Sequence, residues 1–137
     1  MKAKTKVLFV CVENAERSLL AEALLRHTAS DKFDAFSAGT LPKGVNPYTL
    51  QALQDMGIST EGLRSKSLSE FDGMDFDYVI TLCDKSALEC LALPHSGEII
   101  TWNFEDPVTS SGHAPFKRAL QEIHERIKMF VLVKSKL

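Results

Sequence analysis

Residues Val7–Val10 form an unbroken apolar run that ends in Cys11, and a helical pattern begins at Arg17-Ser18. The run reads as a buried parallel strand over Lys6–Val10. Leu20, Ala21, Leu24 and Leu25 recur on one face of a helix over Arg17–Thr28. Between the two lie Val12, Glu13, Asn14, Ala15 and Glu16, so the junction has the form Cys-x5-Arg-Ser. A strand, a short loop and a helix in this order restrict the chain to an α/β arrangement.

The junction also carries chemistry. A helix start offers free N–H donors and the positive end of a dipole, which suits a tetrahedral anion. The same surroundings favour a thiolate, lowering a cysteine from about 8.5 to roughly 3.5–7.5. Arg17 can give two parallel N–H bonds to two oxygens of the anion, and Ser18 is placed to hydrogen-bond the Cys11 sulfur. Backbone amides of Val12, Glu13, Asn14, Ala15 and Glu16 would line the anion. The plain alternative is a buried cysteine at a strand end beside a surface arginine. Cys-x5-Arg alone arises often by chance, and the strand before and helix after are the context that favours a site.

The remaining elements repeat the alternation. Phe33–Ala38 is a second strand, stopped by Gly39, and Thr40–Asn46 is a turn-rich loop with Pro42 and Gly44. Asn46 caps a helix with Pro47 at its first position, which runs to about Met56 and ends at Gly57. Gly62–Gly73 reads as loop and short helix, Asp77–Leu82 as a third strand and Glu98–Trp102 as a fourth. Phe116–Val133 is the last helix, with Leu120, Ile123, Ile127 and Phe130 on one stripe. The fold expected is a three-layer, four-stranded parallel sheet with helices on both faces and an anion loop after the first strand, in one domain over 1–137. Ligands of such sheets sit at the carboxyl ends of the strands. Cys11, Ser37, Cys83 and Asp106 all fall at that edge, which favours one shared site.

Composition removes several classes. A net charge of −2 gives no drive toward nucleic acid or an anionic membrane. No apolar stretch approaches a membrane span, and the run behind Met1–Lys6 is too short for a signal peptide, so a cytoplasmic protein is expected. Three cysteines make no disulfide framework in a reducing compartment. Cys83 and Cys90 are separated by six residues, wider than a zinc knuckle, and no second pair exists, so no metal is assigned. They read either as a redox pair, one attacking a bond to Cys11 and the other resolving it, or with Cys90 as a small core hydrophobe. Asp106, in Asp106-Pro107, is either an acid that protonates a leaving oxygen or a turn former. His27 and His124 fall at exposed helical positions, His95 and His113 in loops, and none has a partner at ligand spacing.

Taken together, Val7–Ser18, Ser37-Ala38-Gly39-Thr40, Cys83 with Cys90, and Asp106-Pro107 resemble the low-molecular-weight protein tyrosine phosphatase fold over essentially the whole chain. Within it the chain is most similar to thioredoxin-coupled arsenate reductases. Val108 and Thr109 stand where a tyrosine phosphatase of this fold usually carries tyrosines. The resemblance implies that Cys11 attacks arsenate held by Arg17 and the loop amides, and that Asp106 protonates the departing oxygen. Cys83 would then attack Cys11 and expel arsenite, and Cys90 would pass the disulfide to Cys83–Cys90. No cofactor is implied, and the electrons would come from thioredoxin or another thiol donor. The partners implied are an arsenate or phosphate oxyanion and a thioredoxin-like reductant, and the protein is expected to be a monomer.

Two departures from the family pattern stand out. Glu13 replaces a usual glycine, and Glu16 replaces a small residue or cysteine; carboxylates beside an oxyanion are unfavourable unless they point outward. Some relatives also hold potassium beside the loop with Asn, Glu, Ser and Asp. Asn14, Glu22 and Ser37 match three of these positions, while Lys66 stands at the fourth. An ammonium there would repel potassium and take its place, so no potassium dependence is expected; Lys66 reads equally as a solvated surface lysine. Two competing functions remain. One is hydrolysis of a phosphotyrosine or small phosphoester, for which Cys83 and Cys90 are useless. The other is an oxyanion-binding or redox-sensing module without turnover, for which Glu13 and Glu16 speak.

Overall fold

The computed structural model describes residues 4–11, 17–40, 43–82, 96–102 and 114–134. Its elements, in chain order, are β1 (Thr5–Cys11), α1 (Arg17–Ala29), β2 (Phe33–Gly39), α2 (Pro47–Asp55), a 3₁₀ turn (Leu68–Phe71), β3 (Phe76–Thr81), β4 (Ser96–Thr101) and α3 (Ala114–Lys134). Each expected element is present, with ends shifted by a residue or two, as fraying element ends commonly are.

The strands form one parallel sheet in the order β2-β1-β3-β4. Central β1 is buried from Val7 to Cys11, as its continuous apolar run requires. Edge strand β4 leaves Ile99 half exposed and passes so close to β3 that a side chain at Gly97 would meet the Asp77 carbonyl at 3.0 Å. Helical elements cover both faces of the sheet. On one face Val7, Phe9 and Ile80 pack with Leu20 and Leu24 of α1, Leu53 of α2, and Leu120, Ile123 and Ile127 of α3. On the other, Leu8, Val10 and Val79 pack with Phe71 of the 3₁₀ turn and with Phe76.

Local signals set the helix ends. The Asn46 side chain accepts from the Tyr48 N–H at 2.9 Å, with Pro47 in the first turn. At the other end Gly57 takes φ 72°, a conformation that costs glycine nothing. It lets the Gly57 and Ile58 N–H groups return to the Gln54 and Leu53 carbonyls at 3.0 and 2.9 Å. Helix α1 departs from the one-faced pattern expected: every residue from Arg17 to Leu25 is buried. It lies between the sheet, α2 and α3, so its polar residues Arg17, Ser18 and Glu22 are enclosed as well. Enclosed polar groups must find partners, and those partners define the site.

Candidate active site

In-register pairing aligns the strand ends. Cys11 pairs with Gly39, Val10 with Thr81, and Thr81 with Thr101, so one edge of the sheet carries the end of every strand. The Thr81 and Thr101 hydroxyls lie 3.3 Å apart there. Cys11 is buried, 4% exposed, at the last position of β1. Arg17 opens α1 with only 8% exposed, and its Nη1 donates to the Leu82 carbonyl at 3.3 Å. Ser18 beside it is fully buried. The alternative of a surface arginine is thereby excluded: Arg17 is fixed inside, at the helix start that follows the cysteine. Loop residues Val12, Glu13, Asn14, Ala15 and Glu16, together with Cys83, Cys90 and Asp106, lie outside the described residues.

A second polar group sits behind this edge. Glu22, 2% exposed, accepts a short hydrogen bond from the Ser37 hydroxyl and one at 3.2 Å from Lys66 Nζ through the same oxygen, Oε1. Its other oxygen, Oε2, is held by Arg26 in a close ion pair. Lys66 is 7% exposed and also donates to the Arg64 carbonyl at 2.7 Å. Burial pulls the Lys66 ammonium below the usual lysine value, an effect partly offset by Glu22 and reinforced by Arg64 and Arg26. A solvated surface lysine is therefore not what this position holds. Sequence reasoning missed Arg26; its spacing of four residues from Glu22 on one helix was the available signal. It missed the Leu82 carbonyl too, and no sequence pattern marks a backbone acceptor.

Of the four histidines, His27 and His124 are described, and His95 and His113 lie outside the described residues. His27 is exposed, whereas His124, expected to be exposed, is half-buried because its helix turns that side partly inward; burial lowers its pKa. Among the described residues no group of three or more His, Cys, Asp or Glu is placed to hold a metal ion. No helix among them is long and apolar enough to cross a membrane.

A thiol at a strand end, an arginine opening the next helix and a parallel sheet around them define a class. The chain belongs to the low molecular weight phosphotyrosine protein phosphatase family, whose pattern matches residues 6–136. Among its relatives is an arsenate reductase of Halalkalibacterium halodurans, 34% identical over 132 residues and aligned across 93% of this chain and 95% of that protein. Among solved structures, an arsenate reductase in the phosphate binding state superposes with a TM-score of 0.79 at 27% identity, covering 93% of this chain and 97% of the other. A thioredoxin-dependent arsenate reductase of Corynebacterium glutamicum superposes with a TM-score of 0.73 at 30% identity, covering 98% of this chain and 62% of that longer one.

Proposed function

We propose that this protein reduces arsenate to arsenite, with Cys11 as nucleophile and thioredoxin or another dithiol as electron source. One observation carries the reading. Cys11 ends a central strand, a buried Arg17 opens the following helix, and the same chain holds Cys83 and Cys90 after β3. The likeness to arsenate reductases supports it.

The chemistry runs in balanced steps. The Cys11 thiolate attacks arsenic(V), and one As–O bond breaks, its oxygen leaving as water with a proton from Asp106. Arg17 and the loop amides hold the remaining oxygens and their charge. The Cys83 thiolate then attacks the Cys11 sulfur. The S–As bond breaks, its electron pair stays on arsenic, and arsenite leaves while a Cys11–Cys83 disulfide forms. Cys90 attacks Cys83, which frees the Cys11 thiolate and leaves Cys83–Cys90. An external dithiol returns two electrons to that bond.

Arsenate-dependent NADPH oxidation with thioredoxin and thioredoxin reductase, run beside para-nitrophenyl phosphate hydrolysis, tests the reading. Turnover of arsenate that disappears in Cys83→Ser is the expected result. Ester hydrolysis without arsenate turnover would make the protein a phosphatase with idle cysteines. Silence in both assays would leave an anion-binding or redox-sensing module.

A further inference from the structure

Lys66 bonds to the end of β2, beside the strand that carries Cys11, and to α1, the helix that Arg17 opens. Its backbone carbonyl accepts the Gly39 N–H at 2.8 Å, and Gly39 is the register partner of Cys11. Ser67 next to it forms an isolated parallel bridge to the same Gly39. The Lys66 side chain runs to Glu22 on α1, one turn from Ser18 on the same helix. Glu22 in turn holds Ser37, two residues before the end of β2. The end of β2, which pairs with the end of β1 at Cys11, and the helix that presents Arg17 are therefore joined through one lysine.

We propose that Lys66 is a positioning residue of the anion site, a tethered ammonium that clamps the end of β2 and α1 so that Cys11 and Arg17 keep their spacing. The residue touches none of the reacting atoms in this scheme. It acts through Glu22 and Gly39. A buried carboxylate needs a cation beside it, and Arg26 meets that need from the outer side, with a side chain 44% exposed that pairs with Oε2. The oxygen that faces β2, Oε1, is held by Lys66 and Ser37. Without the ammonium, Glu22 would pull away toward water or take a proton, and α1 would lose its fixed distance from β2. This inference rests on the reading of the Cys11–Arg17 edge as an anion site, and it names the device that holds that site in shape.

The probe is inorganic phosphate, titrated against the reduced protein and followed by phosphorus NMR line broadening, with a thermal melt to show that each variant is folded. Lys66→Met keeps the volume and removes the charge. Its phosphate affinity is expected to fall about tenfold to a hundredfold, the range seen when supporting contacts of a site are lost. Lys66→Ala leaves room for a small cation, so ethylammonium should restore affinity in a saturable way, and tetramethylammonium at equal ionic strength should not. A purely structural lysine would show no such rescue. If Lys66→Met does not fold, the charge-balanced pair Glu22→Gln with Lys66→Met replaces it, with the same loss expected. Wild-type affinity in either folded variant, or no rescue of a weakened Lys66→Ala by the small amine, overturns the proposal. Failure of wild-type protein to bind phosphate would instead overturn the anion-site reading, and this inference with it.

Discussion

Glu22→Gln isolates the energetics of the buried charge cluster. Glu22 is 2% exposed and faces two cations, of which Arg26 can turn to solvent and Lys66 cannot. The variant leaves a buried ammonium beside a neutral amide, with the Arg64 carbonyl still accepting from it. Breaking a buried pair from one side costs about 3–5 kcal/mol. An upper bound follows from the lysine itself. If the ammonium becomes intolerable it can shed its proton, and from an ordinary value of 10.5 that costs about 5 kcal/mol at pH 7. Over 137 residues an unfolding entropy near 2 cal/mol/K per residue gives ~0.3 kcal/mol/K. The melting temperature should therefore fall by about 10–17 °C. Lys66→Met should cost less, about 1–3 kcal/mol, because Glu22 keeps Arg26 and Ser37. The double variant removes both charges and should sit near the milder single variant, with a coupling of about 3–5 kcal/mol. Urea and thermal melts of all four proteins measure the cycle. Effects that add to within about 0.5 kcal/mol would show that Glu22 and Lys66 do not stabilise each other, and would refute the reasoning.

Other expectations are more direct. Arsenate reduction should not rise with potassium at fixed ionic strength, since Lys66 already supplies a cation to Glu22; a clear rise would contradict this. Cys90→Ser should complete one turnover, seen as one arsenite released per protein, and then stop; sustained turnover would remove Cys90 from the scheme. Burial lowers the Lys66 pKa, so between its folded value and 10.5 the folded chain has lost a proton that the unfolded chain retains. Stability should thus rise with pH across that window while phosphate affinity falls, each taken as the difference between wild type and Lys66→Met; matching signs would refute the assignment. Ile123→Ala, in the fully buried core, should cost about 2–5 kcal/mol in a urea melt and leave phosphate affinity of the folded protein unchanged.

Much of this architecture could be read from local signals. The apolar runs ending at Cys11 and Thr81, the Asn46-Pro47 start and the Gly57 stop each act through their own few residues, so no distant contact was needed to see them. The placement of Cys11 at the end of β1 and of Arg17 at the start of α1 was legible for the same reason, because the apolar run and the helical pattern mark those ends locally. The environment of Lys66 was not. Arg64-Ser65-Lys66-Ser67 is polar throughout, and only packing of that segment against β2 turns its one lysine inward. Enclosure of α1 from Arg17 to Leu25 was equally hidden, because it depends on α2 and α3 arriving from elsewhere in the chain. Assignments for Cys83, Cys90 and Asp106 rest on sequence alone, since these residues lie outside those described.

Leu82 is bonded through both of its peptide groups. Its N–H reaches the Val10 carbonyl at 3.0 Å, and its own carbonyl receives Arg17 at 3.3 Å. The next residue is Cys83. The end of β3 is thus rooted like a door post, tied to β1 by one bond and to the start of α1 by the other. The guanidinium at that root is the group proposed to grip the oxyanion. One guanidinium therefore serves two duties, bracing the end of β3 and facing the anion site as proposed, so a change at Arg17 would be felt in the sheet edge as well as in the site.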